Sequence, residues 1–188
     1  VIVSQLHRSP GICFESSRHA SGRILYSFRI IPDHGSWMEV QFDINDHIFI
    51  YLDRRRRRRK FLISTFLRAI GYDSTHELLD VMYGIKKMSL AKLRKVDDIS
   101  VLFSAEEVRV SEDAEAEPLV PALEPLTPEI LQTLKEAKIG SLAVVDTGEL
   151  GDAFVRCLQR DPTETSEEAL KEIYRRLRPG DPPNVNNA

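Results

Sequence analysis

The chain has 188 residues, of which 42% are hydrophobic and 29% are charged; these are ordinary values for a globular protein with one sizeable core or two small ones. No run approaches the roughly 18 apolar residues of a membrane-spanning helix, and no secretory signal peptide is visible. The net charge of -3 is segregated, because residues 1–103 carry 17 Lys and Arg against 11 Asp and Glu while residues 104–188 carry 9 against 18, and a basic half indicates a polyanionic partner.

The first part of the chain predicts antiparallel strands. The run GRILYSFRIIP indicates one strand, which ends at Pro32. In WMEVQFDINDHIFIYLD, hydrophobic and polar residues alternate before Asn45 and Asp46, and aliphatic residues recur at every second position after them, which is typical of a β-hairpin with its turn at those two residues. The segment DHGSW before the hairpin predicts a turn that presents Trp37, the only tryptophan.

A run of seven cations, within DRRRRRRK from Asp53 to Lys60, separates this hairpin from a helix-like stretch. Because the planar guanidinium of arginine matches phosphate oxygens, a cationic run held between two folded elements indicates a nucleic-acid backbone as its partner. A solvated loop is the alternative interpretation. Trp37 is close in sequence and predicts a platform for an unpaired base, and the alternative there is a hydrophobic plug beneath the hairpin.

Helices are expected to dominate the rest of the chain. The helical patterns are FLISTFLRAI, THELLDVMY behind the capping residue Ser74, SLAKLRKVDDI, PEILQTLKEAKI behind Thr127, and SEEALKEIYRRL behind Thr165. SLAVVD predicts a short strand. Residues 104–125 are acidic, contain prolines and lack a sustained period, which indicates a loop or a weakly ordered segment. The predicted fold class is therefore α+β.

The residue patterns of a self-contained enzyme are missing from the sequence. There is no Walker loop, no G-x-G-x-x-G and no G-x-S-x-G motif, so no catalytic residue is predicted. The five histidines share no ligand spacing with Cys13 and Cys157, so we expect no metal site, no disulfide framework and two reduced thiols. The adjacent carboxylates of Asp97 and Asp98 would diverge on a helix and are interpreted as solvated surface rather than as a magnesium site.

Four motifs together resemble one protein family. VIVSQLHRSPGICFE, GRILYSFRIIPDHGSWMEVQFD, DRRRRRRKFLISTFLRAIGY and DPTETSEEALKEIYRRLRPGDPP are similar, in this order, to the lobe domain of the beta subunit of bacterial DNA-directed RNA polymerase. The resemblance covers residues 1–83 and 126–183, and residues 84–125 match loosely. It implies that residues 1–188 are one lobe fragment, made of a basic strand-hairpin and helical part (1–103), a variable acidic loop (104–125) and a helix-strand-helix return (126–188).

The resemblance also implies a set of DNA-binding residues. In the family, the lobe is one wall of the main channel and faces the downstream DNA and the non-template strand. Trp37 of GSW would stack on an exposed non-template base, and Arg8 of LHRSPG would border the same pocket. The route of that strand would be lined by Arg54, Arg55, Arg56 and Arg178. Val3 and Gln5 would lie at the edge of the rifamycin pocket.

Two departures from the family pattern limit this set. The cationic run is longer than the family's usual three or four residues, so Arg57 to Lys60 receive no role from the resemblance. Asn184 stands where the family usually has threonine. The chain also begins without Met, which we expect of a piece cut from a longer polypeptide.

The resemblance implies that the catalytic and cofactor-binding residues belong to another chain. The Mg²⁺ ion of the family is held by aspartates of the partner beta-prime subunit, so no cofactor is expected in this fragment. The implied partners are non-template and downstream DNA, the alpha, beta-prime and omega subunits, sigma factor and transcription regulators, in the cytoplasm at the nucleoid and without a membrane. Two alternatives stay open: a docking surface for regulators, favoured by the acidic residues 104–125, and a free-standing basic adaptor that binds nucleic acid or a partner protein.

Overall fold

The structure is a computed structural model that describes residues 2–4, 6–52, 59–109 and 118–180. The strands are β1 (Gly11–Arg18), β2 (Ile24–Ile31), β3 (Met38–Phe42), β4 (Ile48–Tyr51), β5 (Lys60–Leu62), β6 (Lys86–Ser89), β7 (Leu102–Ser104) and β8 (Ser141–Asp146). The helices are α1 (Ile63–Ala69), α2 (Thr75–Tyr83), α3 (Leu90–Leu93), α4 (Pro128–Glu136), α5 (Ala153–Arg160) and α6 (Ser166–Leu177), with a 3₁₀ turn at Ile99–Val101. Helices are thus combined with antiparallel sheets, which confirms the predicted α+β class.

The chain divides into two compact units. Unit 1 comprises Val1–Gly71 together with Asp161–Ala188, and unit 2 comprises Tyr72–Arg160. Unit 1 contains a five-stranded sheet in the order β1-β2-β3-β4-β5, with α1 and α6. Unit 2 contains a three-stranded sheet in the order β6-β8-β7, with the remaining helices. Each unit therefore has its own sheet.

The sheet of unit 1 buries one face against helices. Val40, Ile50 and Phe61, on β3, β4 and β5, are between 2% and 4% exposed and form the centre of a core. Phe66 of α1 and Ile173 of α6 pack against this core. Side chains alternate between the two faces of a sheet along each strand. The residues next to Val40, Ile50 and Phe61 in their own strands therefore lie on the opposite face.

The predicted strand before Pro32 and the predicted hairpin are confirmed as β2, β3 and β4. Two further strands of this sheet were not predicted. The first, β1, pairs with β2 along its whole length, and its apolar Phe14 is 81% exposed rather than buried. The second, β5, has only three residues and leads directly into α1.

The helix caps lie where the sequence predicts them. The hydroxyl oxygens of Ser74, Thr127 and Thr165 accept hydrogen bonds from the backbone N–H three residues on, at 3.1 to 3.3 Å. The predicted helix in SLAKLRKVDDI is confirmed only for Leu90–Leu93. The Asp98 carboxylate instead accepts bonds from the N–H and hydroxyl of Ser100, and this local bonding competes with a continuous helix. The same bonds lower the pKa of Asp98.

Beyond Ser104, the last residue of β7, the described flanks of residues 104–125 consist of bends, turns and isolated bridges. Val108 and Val120 form a β-bridge, with the Val108 N–H donating to the Val120 carbonyl at 2.8 Å. Val120 is 1% exposed and belongs to the core of unit 2, which also contains Leu93, Leu102, Leu126, Leu131, Leu134, Leu142 and Val144. The two flanks of the acidic segment are therefore part of the fold, and residues 110–117 lie outside the described residues.

Tyr83, at the end of α2, provides a pH-dependent contribution to stability. Burial raises the pKa of Tyr83 to about 12, and its hydroxyl donates a hydrogen bond to the carbonyl oxygen of Gly151 at 2.9 Å. Because this pKa exceeds the ordinary value of 10.0, the neutral phenol stabilises the fold fully below pH 10 and loses that effect as the pH rises towards 12. We expect Tyr83→Phe to flatten the fall in Tm between pH 10 and 12, measured by circular dichroism. Tyr26→Phe, at a tyrosine that is 62% exposed, is the matched control, and identical profiles for all three chains would contradict the expectation.

None of the helices in residues 2–4, 6–52, 59–109 and 118–180 has both the length and the apolar character that crossing a bilayer requires.

Candidate nucleic-acid interface

One end of the sheet in unit 1 collects several strand ends. In the register of the sheet, Gly11 at the start of β1 faces Ile31 at the end of β2. Glu39 near the start of β3 faces Tyr51 at the end of β4, and Tyr51 in turn faces Lys60 at the start of β5. The chain therefore enters or leaves all five strands at this end.

Two of the predicted DNA-binding residues and the described end of the cationic run lie here. Arg8 lies three residues before the start of β1, and Trp37 immediately precedes β3. The cationic run follows Leu52, behind β4, and ends with Arg59 and with Lys60, the first residue of β5; Arg54, Arg55 and Arg56 lie outside the described residues. We call this part of the molecule the Trp37 end of the sheet.

The end of α6 adds a third predicted DNA-binding residue. The Arg59 guanidinium donates a hydrogen bond to the carbonyl oxygen of Leu177, the last residue of α6. Arg178, which follows directly, is exposed, and its guanidinium carbon lies 6.0 Å from the ring centroid of Tyr174. The carbonyl of Lys60 accepts a bond from Arg176 at 3.3 Å, so β5 and the end of α6 are joined twice.

Trp37 is half-buried and stands beside two guanidinium groups. The guanidinium carbon of Arg8 lies 5.8 Å from its ring centroid and that of Arg29 lies 5.7 Å from it, both within cation–π range. The structure thus brings Arg8 and Trp37 together, as the resemblance implies for the pocket that they border. Arg29 is a third member that the sequence did not indicate.

The two arginines differ in exposure and in their partners. The side chain of Arg29 is 4% exposed and forms a two-pronged contact with the Glu15 carboxylate, at 3.0 and 3.2 Å. Glu39 on the neighbouring strand lies 3.6 Å from the same guanidinium. Arg8 is 55% exposed and reaches Glu15 at 3.5 Å. A buried, compensated cation and an exposed one therefore share one carboxylate beside the indole ring.

Beyond Glu39, the same face of the sheet continues as an open groove. Its volume is about 350 Å³, and Gln41, Phe49, Tyr51 and Lys60 are among its walls. The Lys60 ammonium lies 4.2 Å from the ring centroid of Phe49, which keeps this cation on the sheet surface. The groove extends away from the Trp37 end of the sheet, because His19 behind β1 and Asp43 and Asn45 behind β3 also line it.

Chemically, this arrangement suits binding rather than catalysis. A half-exposed indole ring offers a stacking surface for a base, and the exposed cations around it attract phosphates. Among the described residues no group of three or more His, Cys, Asp or Glu is placed to hold a metal ion. Neither Cys13 nor Cys157, both described residues, forms a disulfide; Cys157 is buried in unit 2 and Cys13 is half-buried on β1.

The predicted rifamycin-edge residues remain unplaced relative to this surface. Val3 is 77% exposed and precedes the first strand, and Gln5 lies outside the described residues. Both assignments stay predictions.

The sequence did not predict Arg29, Glu15 or Glu39 as site residues, although the strand pattern contains one signal for Arg29 and Glu39. Arg29 lies between Phe28 and Ile30, and Glu39 lies between Met38 and Val40, so both occupy the polar phase of an alternating strand. Their contact depends on the register between β2 and β3, where Arg29 faces Glu39 directly. Register between strands cannot be read from either strand alone.

Comparison with known proteins agrees with the four motifs. The chain is 47% identical over 199 residues to the DNA-directed RNA polymerase subunit beta of Methylacidiphilum infernorum (isolate V4). The corresponding subunits of Protochlamydia amoebophila (strain UWE25) and Chlamydia pneumoniae are 41% identical over 190 residues and 44% identical over 193 residues. No protein-family model matches the chain.

These matches cover the whole of this chain but only a small part of each relative. Each includes 100% of this chain, but the chain spans only 15% of the length of these curated relatives. The aligned region thus includes residues 84–125, which resemble the family loosely. The predicted family is confirmed: this chain belongs to the family of DNA-directed RNA polymerase beta subunits and corresponds to a part of that subunit.

Proposed function

We propose that this chain acts in DNA-directed transcription as the lobe of an RNA polymerase beta subunit, where it holds the non-template strand and faces the downstream duplex. The observation that carries the proposal is the position of Trp37. It is half-buried beside the guanidinium groups of Arg8 and Arg29, at the sheet end where both flanks of the cationic run emerge. The enzyme is a nucleotidyltransferase, and this part of it supplies DNA handling rather than catalytic groups.

In this proposal the cations and the ring have separate tasks. Arg8, Arg178 and the cationic run that includes Arg54, Arg55 and Arg56 attract phosphates and hold the backbone of the strand, which fixes its position without reading its sequence. Trp37 takes one unpaired base on its ring. A strand held in this way would pass the sheet end in one register.

The remaining components of the machine come from its other chains. The proposed partners are DNA, the alpha, beta-prime and omega subunits, and sigma factor, in the cytoplasm at the nucleoid. The catalytic Mg²⁺ is assigned to aspartates of the beta-prime subunit. Val3 and Gln5 are proposed to border the rifamycin pocket, most of which would be formed by residues outside this chain.

The stacking role predicts a selective loss on removal of the ring. We expect Trp37→Ala, in polymerase reconstituted with the full-length beta subunit, to weaken binding to forked DNA by about 5- to 150-fold, because stacking on an aromatic side chain contributes about 1–3 kcal/mol per base. Binding to fully paired duplex is expected to change much less, since every base is then stacked within the helix. Fluorescence anisotropy with both DNAs measures the two Kd values.

An abasic position in the DNA provides the matched control. If Trp37 takes one non-template base, removing that base should weaken binding of the unmodified enzyme and have little further effect on the Trp37→Ala enzyme. Scanning the abasic site along the non-template strand locates the base. Equal losses on forked and duplex DNA would contradict the stacking role.

A further inference from the structure

Burying the Arg29 side chain costs free energy. A guanidinium that is 4% exposed has lost its hydration, and this cost is offset only by close partners. Glu15 supplies two contacts at 3.0 and 3.2 Å, and Glu39 supplies one at 3.6 Å. Apolar residues of similar volume often stabilise such a position at least as well, so stability alone does not account for a buried cation here.

The charge of Arg29 is also compensated within the sheet. Arg8 and Arg29 carry two positive charges, and Glu15 and Glu39 carry two negative ones. Because Arg29 is buried and paired with carboxylates, it is poorly placed to attract a phosphate, unlike the exposed Arg8. A direct phosphate contact is therefore not the role that its position favours.

The ring of Trp37 is the remaining neighbour. The Arg29 guanidinium carbon lies 5.7 Å from its centroid, and in the described part of the chain the buried Nε of Arg29 has no hydrogen-bond partner. An aromatic face accepts weakly from such an N–H and attracts the cation. The carboxylates fix the guanidinium, and the guanidinium in turn holds the ring.

We propose that Arg29 is a positioning residue, which, held by Glu15 and Glu39, fixes the indole ring of Trp37 in the orientation that receives an unpaired base. This rests on the proposed function of Trp37. A ring that is already ordered loses less rotational freedom when a base stacks on it, and ordering a side chain costs about 0.5–1.5 kcal/mol. Arg29 thereby acts on stacking and leaves the phosphate contacts unchanged.

The test uses polymerase with the full-length beta subunit and a forked DNA that carries, at the stacked position, a fluorescent base analogue quenched by stacking. We expect Arg29→Met to reduce the quenching and to weaken binding by about 2- to 10-fold. The slope of log Kd against log salt concentration should stay unchanged, because no phosphate contact is lost. Arg8→Met is the matched control, since loss of an exposed phosphate-binding cation should lower that slope by about 1.

A double-mutant cycle separates positioning from general damage to the sheet. In a Trp37→Ala background, Arg29→Met should cause no further loss, because the ring on which it acts is absent. A further loss in that background, unchanged quenching in the single variant, or a lower salt slope would each overturn the inference. If Arg29→Met polymerase does not assemble, Arg29→Lys, which keeps a cation but cannot contact both Glu15 oxygens, is tested in the same cycle with the same expectation.

The outcomes also distinguish this inference from the function on which it rests. Quenching that survives in Trp37→Ala would reject Trp37 as the stacking residue, and with it the proposed function of this end of the sheet. Quenching that is lost in Trp37→Ala but intact in Arg29→Met would reject only the positioning role.

Discussion

Replacing Asp161 by alanine is expected to lower the free energy of unfolding of unit 1 by about 3–5 kcal/mol, the usual cost of removing one member of a buried ion pair. Arg68 on α1 and Asp161 have side chains that are 3% and 1% exposed, with Nε of Arg68 3.9 Å from Oδ2 of Asp161. Oδ1 of the same carboxylate accepts bonds from the hydroxyl of Thr65 at 3.0 Å and from the N–H and hydroxyl of Thr163 at 3.0 and 2.7 Å. The substitution therefore deprives a buried guanidinium of its carboxylate and removes three hydrogen bonds.

Urea unfolding followed by the fluorescence of Trp37 measures this effect, because the only tryptophan lies in unit 1. Lys171→Ala is the control, since it breaks an exposed ion pair with Glu167 on α6 and should cost less than about 1 kcal/mol. The double variant Arg68→Met with Asp161→Ala should be more stable than Asp161→Ala alone, because the buried guanidinium is removed together with its carboxylate. A loss in Asp161→Ala no larger than in Lys171→Ala would contradict the expectation.

The elements that the sequence predicts well are those specified by local chemistry. The hairpin is fixed by alternation on both sides of Asn45 and Asp46, and the caps at Ser74 and Thr165 depend on residues three positions apart. Each signal lies within one segment and needs no knowledge of the rest of the fold. These predictions therefore survive in the structure with small changes at their ends.

The features that were missed depend on pairing with another segment of the chain. Strand β5 has three residues, and its position follows from pairing with β4 across the cationic run. The bridge between Val108 and Val120 joins the two flanks of an acidic segment that has no periodic pattern of its own. Burial of Val120 in the core of unit 2 overrides that composition. Pairings of this kind are decided by tertiary packing, which sequence periodicity does not contain.

The residues of the candidate site were likewise predicted only where a short motif contains them. Arg8, Trp37 and Arg178 were found through short motifs, and the structure places all three at one end of one sheet. The buried group beside Trp37 was not found, because it is assembled from Glu15 on β1, Arg29 on β2 and Glu39 on β3. A motif identifies residues within one segment. A group that is assembled from three strands can be recognised only when the register between those strands is known.

A second large effect is expected at Phe61, which connects the cationic run to the core. Phe61 is 2% exposed, belongs to the same core cluster as Val40 and Ile50, and lies in β5 directly after Lys60. Phe61→Ala should lower the free energy of unfolding by about 3–5 kcal/mol, through lost apolar burial and the cavity that remains. Phe14→Ala is the matched control, since the Phe14 ring is 81% exposed and its loss should cost about 1 kcal/mol or less. Unfolding in urea, again followed by Trp37 fluorescence, compares the two variants.

The same substitution tests whether anchoring of the run matters for DNA. Arg59 bonds the end of α6 and Lys60 pairs with Tyr51, so β5 fixes the point where the run rejoins the sheet. If phosphates are held in the proposed register, loosening β5 should lower the salt slope of forked-DNA binding by about 1 or more in polymerase that carries Phe61→Ala. A destabilised chain with an unchanged slope would mean that the cations bind phosphates without needing a fixed β5. The run would then attract DNA by its charge alone, and the fixed register would be rejected.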